Sequence, residues 1–80
     1  MIRISKQTRL MPEDIIFKAD KFFGKQGEQL EEKERNPFCI TFVGSGGYVS
    51  ISIVEDGNWR TVDAETREFE YQVRRFLERL

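Results

Sequence analysis

"FCITFVGSGGYVSISIV", residues 38–54, is the stretch that decides the fold. Phe38, Ile40 and Phe42 alternate with Cys39, Thr41 and Val43. After four small residues, Val49, Ile51 and Ile53 alternate with Tyr48, Ser50, Ser52 and Val54. A period of two is the mark of a half-buried strand. If Gly44–Gly47 close a two- or four-residue loop, Phe42 faces Val49, Ile40 faces Ile51 and Phe38 faces Ile53. Every facing pair on that side is then apolar. A three-residue loop would slip the register by one and set apolar against polar residues. An even loop is expected.

The same four residues, Gly44-Ser45-Gly46-Gly47, invite a second reading as a phosphate cradle. A Walker phosphate loop needs Lys-Ser/Thr after its glycines and must open a helix, so that backbone N–H groups and the helix dipole meet the anion. Here Tyr48 follows and begins a strand, and a dinucleotide fingerprint fails for the same reason. The expectation is a hairpin bend that uses the positive φ open to glycine. A weak anion nest is the ligand-binding alternative.

Outward from the hairpin, a second turn signal stands at "EDGNW", residues 55–59. Two registers fit, closing on Asp56-Gly57 or on Gly57-Asn58. The second pairs Ile53 with Val62 and Glu55 with Arg60, and is preferred. "WRTVD" is then a strand that feeds a last helix, with Asp63 or Thr66 placed to cap it. Phe69, Val73, Phe76, Leu77 and Leu80 form that helix's apolar stripe, while Arg74, Arg75 and Arg79 suit its negative end. Glu68, Glu70 and Glu78 are interspersed among the arginines, which reads as a self-paired solvated face rather than a phosphate site.

Toward the amino end, Ile2 and Ile4 alternate with Arg3 and Ser5 in a short strand. Pro12 with Glu13 and Asp14 opens a helix. Ile15, Ile16, Ala19, Phe22 and Phe23 lie on one stripe of it, and Gly24 and Gly27 are stop signals, so the helix spans roughly 12–24. Phe17 lies off the stripe, and Tyr71 lies opposite the buried stripe of the last helix. Both are expected to be exposed. "EQLEEKERN" is ambiguous: its composition suits a helix continuing from the first, but the glycines before it argue for a break, and an exposed, charged edge strand at about 28–35, closed by Asn36-Pro37, is preferred. The order is β-α-(β)-β-β-β-α over a single α+β domain, residues 1–80. It is a two-layer antiparallel sheet of three to five strands with both helices on one face. In element order it resembles half of a TATA-box-binding-protein-like fold, a likeness that carries no function.

The 80 residues carry 13 basic and 14 acidic side chains, net −1, which argues against binding nucleic acid or acidic membranes by bulk charge. The single Cys39 makes no internal disulfide, no apolar run approaches a membrane span, and the opening "MIRISKQTRLMPED" has no apolar core of signal-peptide length. The expectation is a soluble, cytoplasmic protein. With no His, the commonest general base and metal ligand is missing, and one Cys cannot supply a zinc site. "EDGNWRTVDAE" is not an EF-hand loop, because Arg60 and Val62 occupy ligand-type positions. Glu31, Glu32 and Glu34 read as a solvated cluster. No nucleophile, base and oxyanion donor assemble, so the chain is read as a non-enzyme without metal or cofactor.

The parity that buries Phe38, Ile40, Val49 and Ile51 exports Tyr48, Trp59, Thr41, Ser50, Ser52 and Val54 to the other face, with Cys39, Val43 and Thr61. Arg3 joins them if the first strand pairs in the same sheet, and Lys33 and Arg35 are candidates too. A face of small uncharged residues rimmed by aromatics resembles an interface core. The expected function is a protein-interaction or self-association module, whose partner is another protein or a second copy of the chain. One alternative is single-stranded nucleic acid stacked on Tyr48 and Trp59. Another is a small ligand or anion, which the seven Phe leave little room for between helices and sheet.

Overall fold

The computed structural model describes all 80 residues. Its organising feature is the expected hairpin, β3 (Cys39–Gly44) and β4 (Gly47–Asp56). Phe42 pairs with Val49, Ile40 with Ile51 and Gly44 with Gly47, so the connection is the two-residue turn Ser45-Gly46. Gly46 takes φ 81°, where a side chain would be strained. A Cβ on Gly47 would collide with the Arg67 carbonyl. The second hairpin joins β4 to β5 (Trp59–Arg67) through Gly57-Asn58, in the preferred register of Ile53 with Val62 and Glu55 with Arg60.

β1 (Ile2–Thr8) pairs with β5, and β2 (Glu31–Asn36) pairs with β3. The sheet therefore has five strands in the order β1-β5-β4-β3-β2, every neighbour antiparallel. The segment of ambiguous composition is the edge strand β2, and its six residues are all exposed. Charge suits an edge, where backbone groups face water.

Helix α1 (Pro12–Phe23) begins at its proline and stops before Gly24; α2 (Glu70–Glu78) closes the chain. Both lie on one face of the sheet. Ile15, Ile16, Ala19 and Phe23 of α1 and Val73, Phe76 and Leu77 of α2 meet Ile40, Phe42, Val49, Ile51, Val62 and Ala64. Phe22, Phe69 and Leu80, expected within the buried stripes, are only partly covered at the rim of this core. The rings of Phe22, Phe23, Phe42 and Phe76 stand 4.9–5.7 Å apart in tilted and edge-on pairs. They fill the space between the layers with side chains.

Two expectations are corrected. Asp63 and Thr66 do not cap the last helix: β5 runs on to Arg67, and the N-cap is Phe69 with no side-chain hydrogen bond. The reason is alternation, since Val62, Ala64 and Thr66 continue the buried face between β1 and β4. Phe38 keeps its register, its carbonyl accepting from the Ile53 N–H at 2.8 Å, yet its side chain is half exposed. The helix layer stops short of its ring.

Candidate interaction surface

The outer face is uncovered by either helix, and register places Thr41, Tyr48, Ser50, Ser52, Val54 and Trp59 on it. At its centre the Thr41 and Ser50 hydroxyls meet at 3.2 Å, and the Ser52 hydroxyl lies 3.9 Å from the Cys39 thiol. These small side chains satisfy one another in a flat strip. Tyr48 stands at one end, donating its hydroxyl to Glu65 at 2.7 Å, while Arg3 donates to the other Glu65 oxygen at 2.8 Å. The Tyr48 hydrogen bond, and then that of Arg3, hold the Glu65 carboxyl below the usual carboxylate range. The same bond to Glu65, with desolvation, pushes the Tyr48 phenol up. Trp59 and Val54 stand at the other end, with the Arg9 guanidinium 4.6 Å above the indole.

Tyr48 and Trp59 share the face but not a site. Trp59 pairs with Asp56, eight positions along β4 from Tyr48, which is roughly 26 Å at strand rise. Adjacent stacked bases cannot span that gap.

The charge of the face also differs from expectation. Because β5 is long, Asp63, Glu65 and Arg67 lie on it, and the pairing of β2 adds Glu31 and Glu34. Arg3 does join, opposite Glu65. Arg35 does not: it pairs with Ile40 and turns to the helix side, 2.7 Å from Glu32 and 3.3 Å from Asp20. Lys33 is the extra residue where the β2 register shifts. With Asp56 beside Trp59 and Arg9 over it, five carboxylates against three guanidiniums give the face an acidic excess, which disfavours a phosphate backbone. The signal for Asp63 and Glu65 was present as the period of two through Val62, Ala64 and Thr66.

A second feature of this end is built from residues distant in sequence. Met11, Pro12, Ile16 and Phe17 form one wall of a groove, and Pro37 and Phe38 form the other, with Glu13, Arg35 and Glu55 around them. The β2–β3 turn that carries Phe38 is held by the Asn36 side chain, which accepts from the Phe38 N–H at 2.9 Å. The opposite wall is anchored by Arg60, a buried guanidinium. It donates to the carbonyls of Arg9 at 3.3 Å and Asn58 at 3.2 Å, and lies 3.2 Å from the Met11 sulfur. Its Nε faces the Glu55 carboxylate at 3.4 Å without hydrogen-bond geometry. One buried cation thus ties the β1–α1 connection to the β4–β5 hairpin.

Seven large apolar side chains are exposed on the molecule. Five of them, Met11, Phe17, Phe38, Val54 and Trp59, gather at this end and are 41–58% exposed. Tyr71 is exposed at the other end, and Phe17 and Tyr71 thus stand as expected. No group of three or more His, Cys, Asp or Glu side chains is placed to hold a metal ion, and no helix is long and apolar enough to cross a membrane. No protein-family model, curated protein or solved structure matches this chain.

Proposed function

We propose that this domain is a non-enzymatic protein-interaction module whose partner docks on the Trp59 end. The footprint starts from Trp59 and Val54 on the outer face and wraps around the sheet's end onto Phe38, Met11 and Phe17. The hydroxyl strip of Ser52, Ser50 and Thr41 continues it toward Tyr48. The observation that carries the reading is the gathering of five exposed large apolar side chains at one end. Clustered exposed apolar area is characteristic of binding surfaces, whereas single exposed residues are ordinary. Hydrogen bonds of Arg60 and Asn36 hold the walls, which lowers the order that has to be gained on binding. Glu13 and Glu55 border the groove, and Asp56 pairs with Trp59. With Arg35 on the groove and Arg9 over Trp59, the surround is of mixed charge, and apolar side chains are what the partner segment must supply. A single free Cys39 suits a reducing compartment, and we place the protein in the cytoplasm.

The test is comparative affinity capture from a lysate with four versions of the chain. Trp59→Ala and Phe38→Ser should each lose the proteins that the unaltered chain retains. Tyr71→Ser, at the opposite end, should retain them. If all four retain the same proteins, or only Tyr71→Ser loses them, this end is not the docking surface.

A further inference from the structure

The two edges of the sheet are built differently, and the difference points to a second copy of the chain. β2 is a protected edge. Five of its six residues are charged, and its register shifts at Lys33. Charges and bulges of this kind prevent another strand from adding. β1 has neither. Its seven residues, "IRISKQT", pair with β5 in unbroken register, without proline and with two charges.

The direction of the β1 backbone groups follows from the hairpins. Asp56 and Trp59 flank a two-residue turn, so they form a hydrogen-bonded pair, and along a strand such pairs alternate in direction. The odd residues of β5 therefore bond to β4, and the even ones, Arg60 to Thr66, bond to β1. The Ile53 N–H donating to Phe38, on the other side of β4, has the parity this requires. Thr8, Lys6, Ile4 and Ile2 use their backbone groups on β5. The N–H and C=O groups of Arg3, Ser5 and Gln7 point to the open edge. Their side chains do not cover it: Arg3 is drawn to Glu65 and Ser5 to Asp63.

We propose that two copies of the chain pair antiparallel through β1, making one continuous ten-stranded sheet. With the two-fold axis at Ser5, Ser5 faces its own mate and Arg3 faces Gln7 of the other copy. All three open residues on each side are then used, with two hydrogen bonds per facing pair. Ile4 faces Lys6 and Ile2 faces Thr8, so no like charges oppose. Moving the axis to Lys6 would set Lys6 against Lys6, which disfavours that register.

The helix layer agrees. Arg74 and Glu78 of α2 line a shallow groove beside β1 with Ile4, Lys6 and Leu77. A two-fold axis through this flank runs the two α2 helices antiparallel and sets Arg74 of each copy toward Glu78 of the other. Arg74 is engaged in one copy only by Glu70, at 3.8 Å and largely exposed. The opposite order of sign along the flank is what self-association about a two-fold requires.

The experiment is the mass in solution by light scattering over a concentration series. The mass should rise toward twice the 9.5 kDa of one chain. Ser5→Pro removes an N–H that serves only the open edge, so this variant should keep the fold by circular dichroism and remain at the mass of one chain. Arg74→Glu should raise the dissociation constant about tenfold, because the axis repeats the change. The double variant Arg74→Glu/Glu78→Arg should restore it. Should Ser5→Pro fail to fold, the Arg74 pair decides alone. Trp59→Ala should leave the dimer unchanged, which separates this surface from the proposed docking end. A mass of one chain at every concentration overturns the proposal. So does a dimer that Arg74→Glu does not weaken, or one that Trp59→Ala abolishes.

Discussion

The two faces of β3, β4 and β5 come from the same strands and are held by different forces. One face carries Ile40, Phe42, Val49, Ile51, Val62 and Ala64, all buried against helix side chains. The other carries Thr41 and Ser50, whose hydroxyls meet, Ser52 beside the Cys39 thiol, and Asp63 and Glu65, which accept from Ser5 and Arg3 of β1 in contact with water. Burial drives the first face at about 25 cal/mol per Å² of apolar area. The second gains little from each pair, since exposed charges and hydroxyls exchange one set of partners for water. The core face therefore holds the fold, and the outer face is free to change.

Four substitutions test that division, in falling order of effect. Phe42→Ala empties a ring site between Phe23 and the sheet, and should cost about 3–5 kcal/mol in urea unfolding. A cost below about 1 kcal/mol would mean the core face does not carry the stability. Thr66→Val keeps the shape of a buried core-face residue but removes the bond from its hydroxyl to the Tyr48 carbonyl at 2.7 Å. The expected loss is about 1 kcal/mol, by the same measurement. Ser50→Ala on the outer face should stay within about 0.5 kcal/mol of the unaltered chain. A loss as large as that of Thr66→Val would erase the difference between the faces.

The smallest effect is one of pH. The folded Glu65 carboxyl titrates below its unfolded value. Its contribution is present above the unfolded value, near pH 4, and is lost as pH falls through the lowered folded value. The Tyr48 phenol is shifted up, so its contribution is present below the unfolded value and is lost as pH rises through the folded one. Glu65→Gln should flatten the acid limb and shift the alkaline limb of a stability profile, while changing the neutral value least. An acid limb identical to that of the unaltered chain would show that Glu65 has no part in it.

Much of this was readable in the chain. An even-length turn within Gly44–Gly47, the Glu55–Arg60 register, the start of α1 at Pro12 and the fitness of the 28–35 charges for an edge all follow from local patterns. Each involves residues within a few positions of one another. Local pattern does not mark the strand end at Arg67, because Asp63 and Thr66 are also good caps. What overrode the cap was pairing with β1, some sixty residues away. Arg35 shows the same limit on a smaller scale, since the register shift at Lys33 moved it from one face to the other.

The candidate surface was legible only in part. Parity placed Trp59, Val54 and Tyr48 on one face, but not the separation of Tyr48 from Trp59 along β4. The groove of Met11, Phe17 and Phe38 was not visible, because its walls come from α1 and the β2–β3 turn. Phe38 in particular reads as core by alternation.

By itself the sequence determined the alternation, the turns and the helix stripes, because steric and hydrophobic preferences act between near neighbours. Only the tertiary structure decided the sheet order β1-β5-β4-β3-β2, the exposure of Phe38, the cage around Arg60 and which edge stays open. Those depend on how far the helix layer reaches over the sheet and on pairings between distant strands, which no local period encodes.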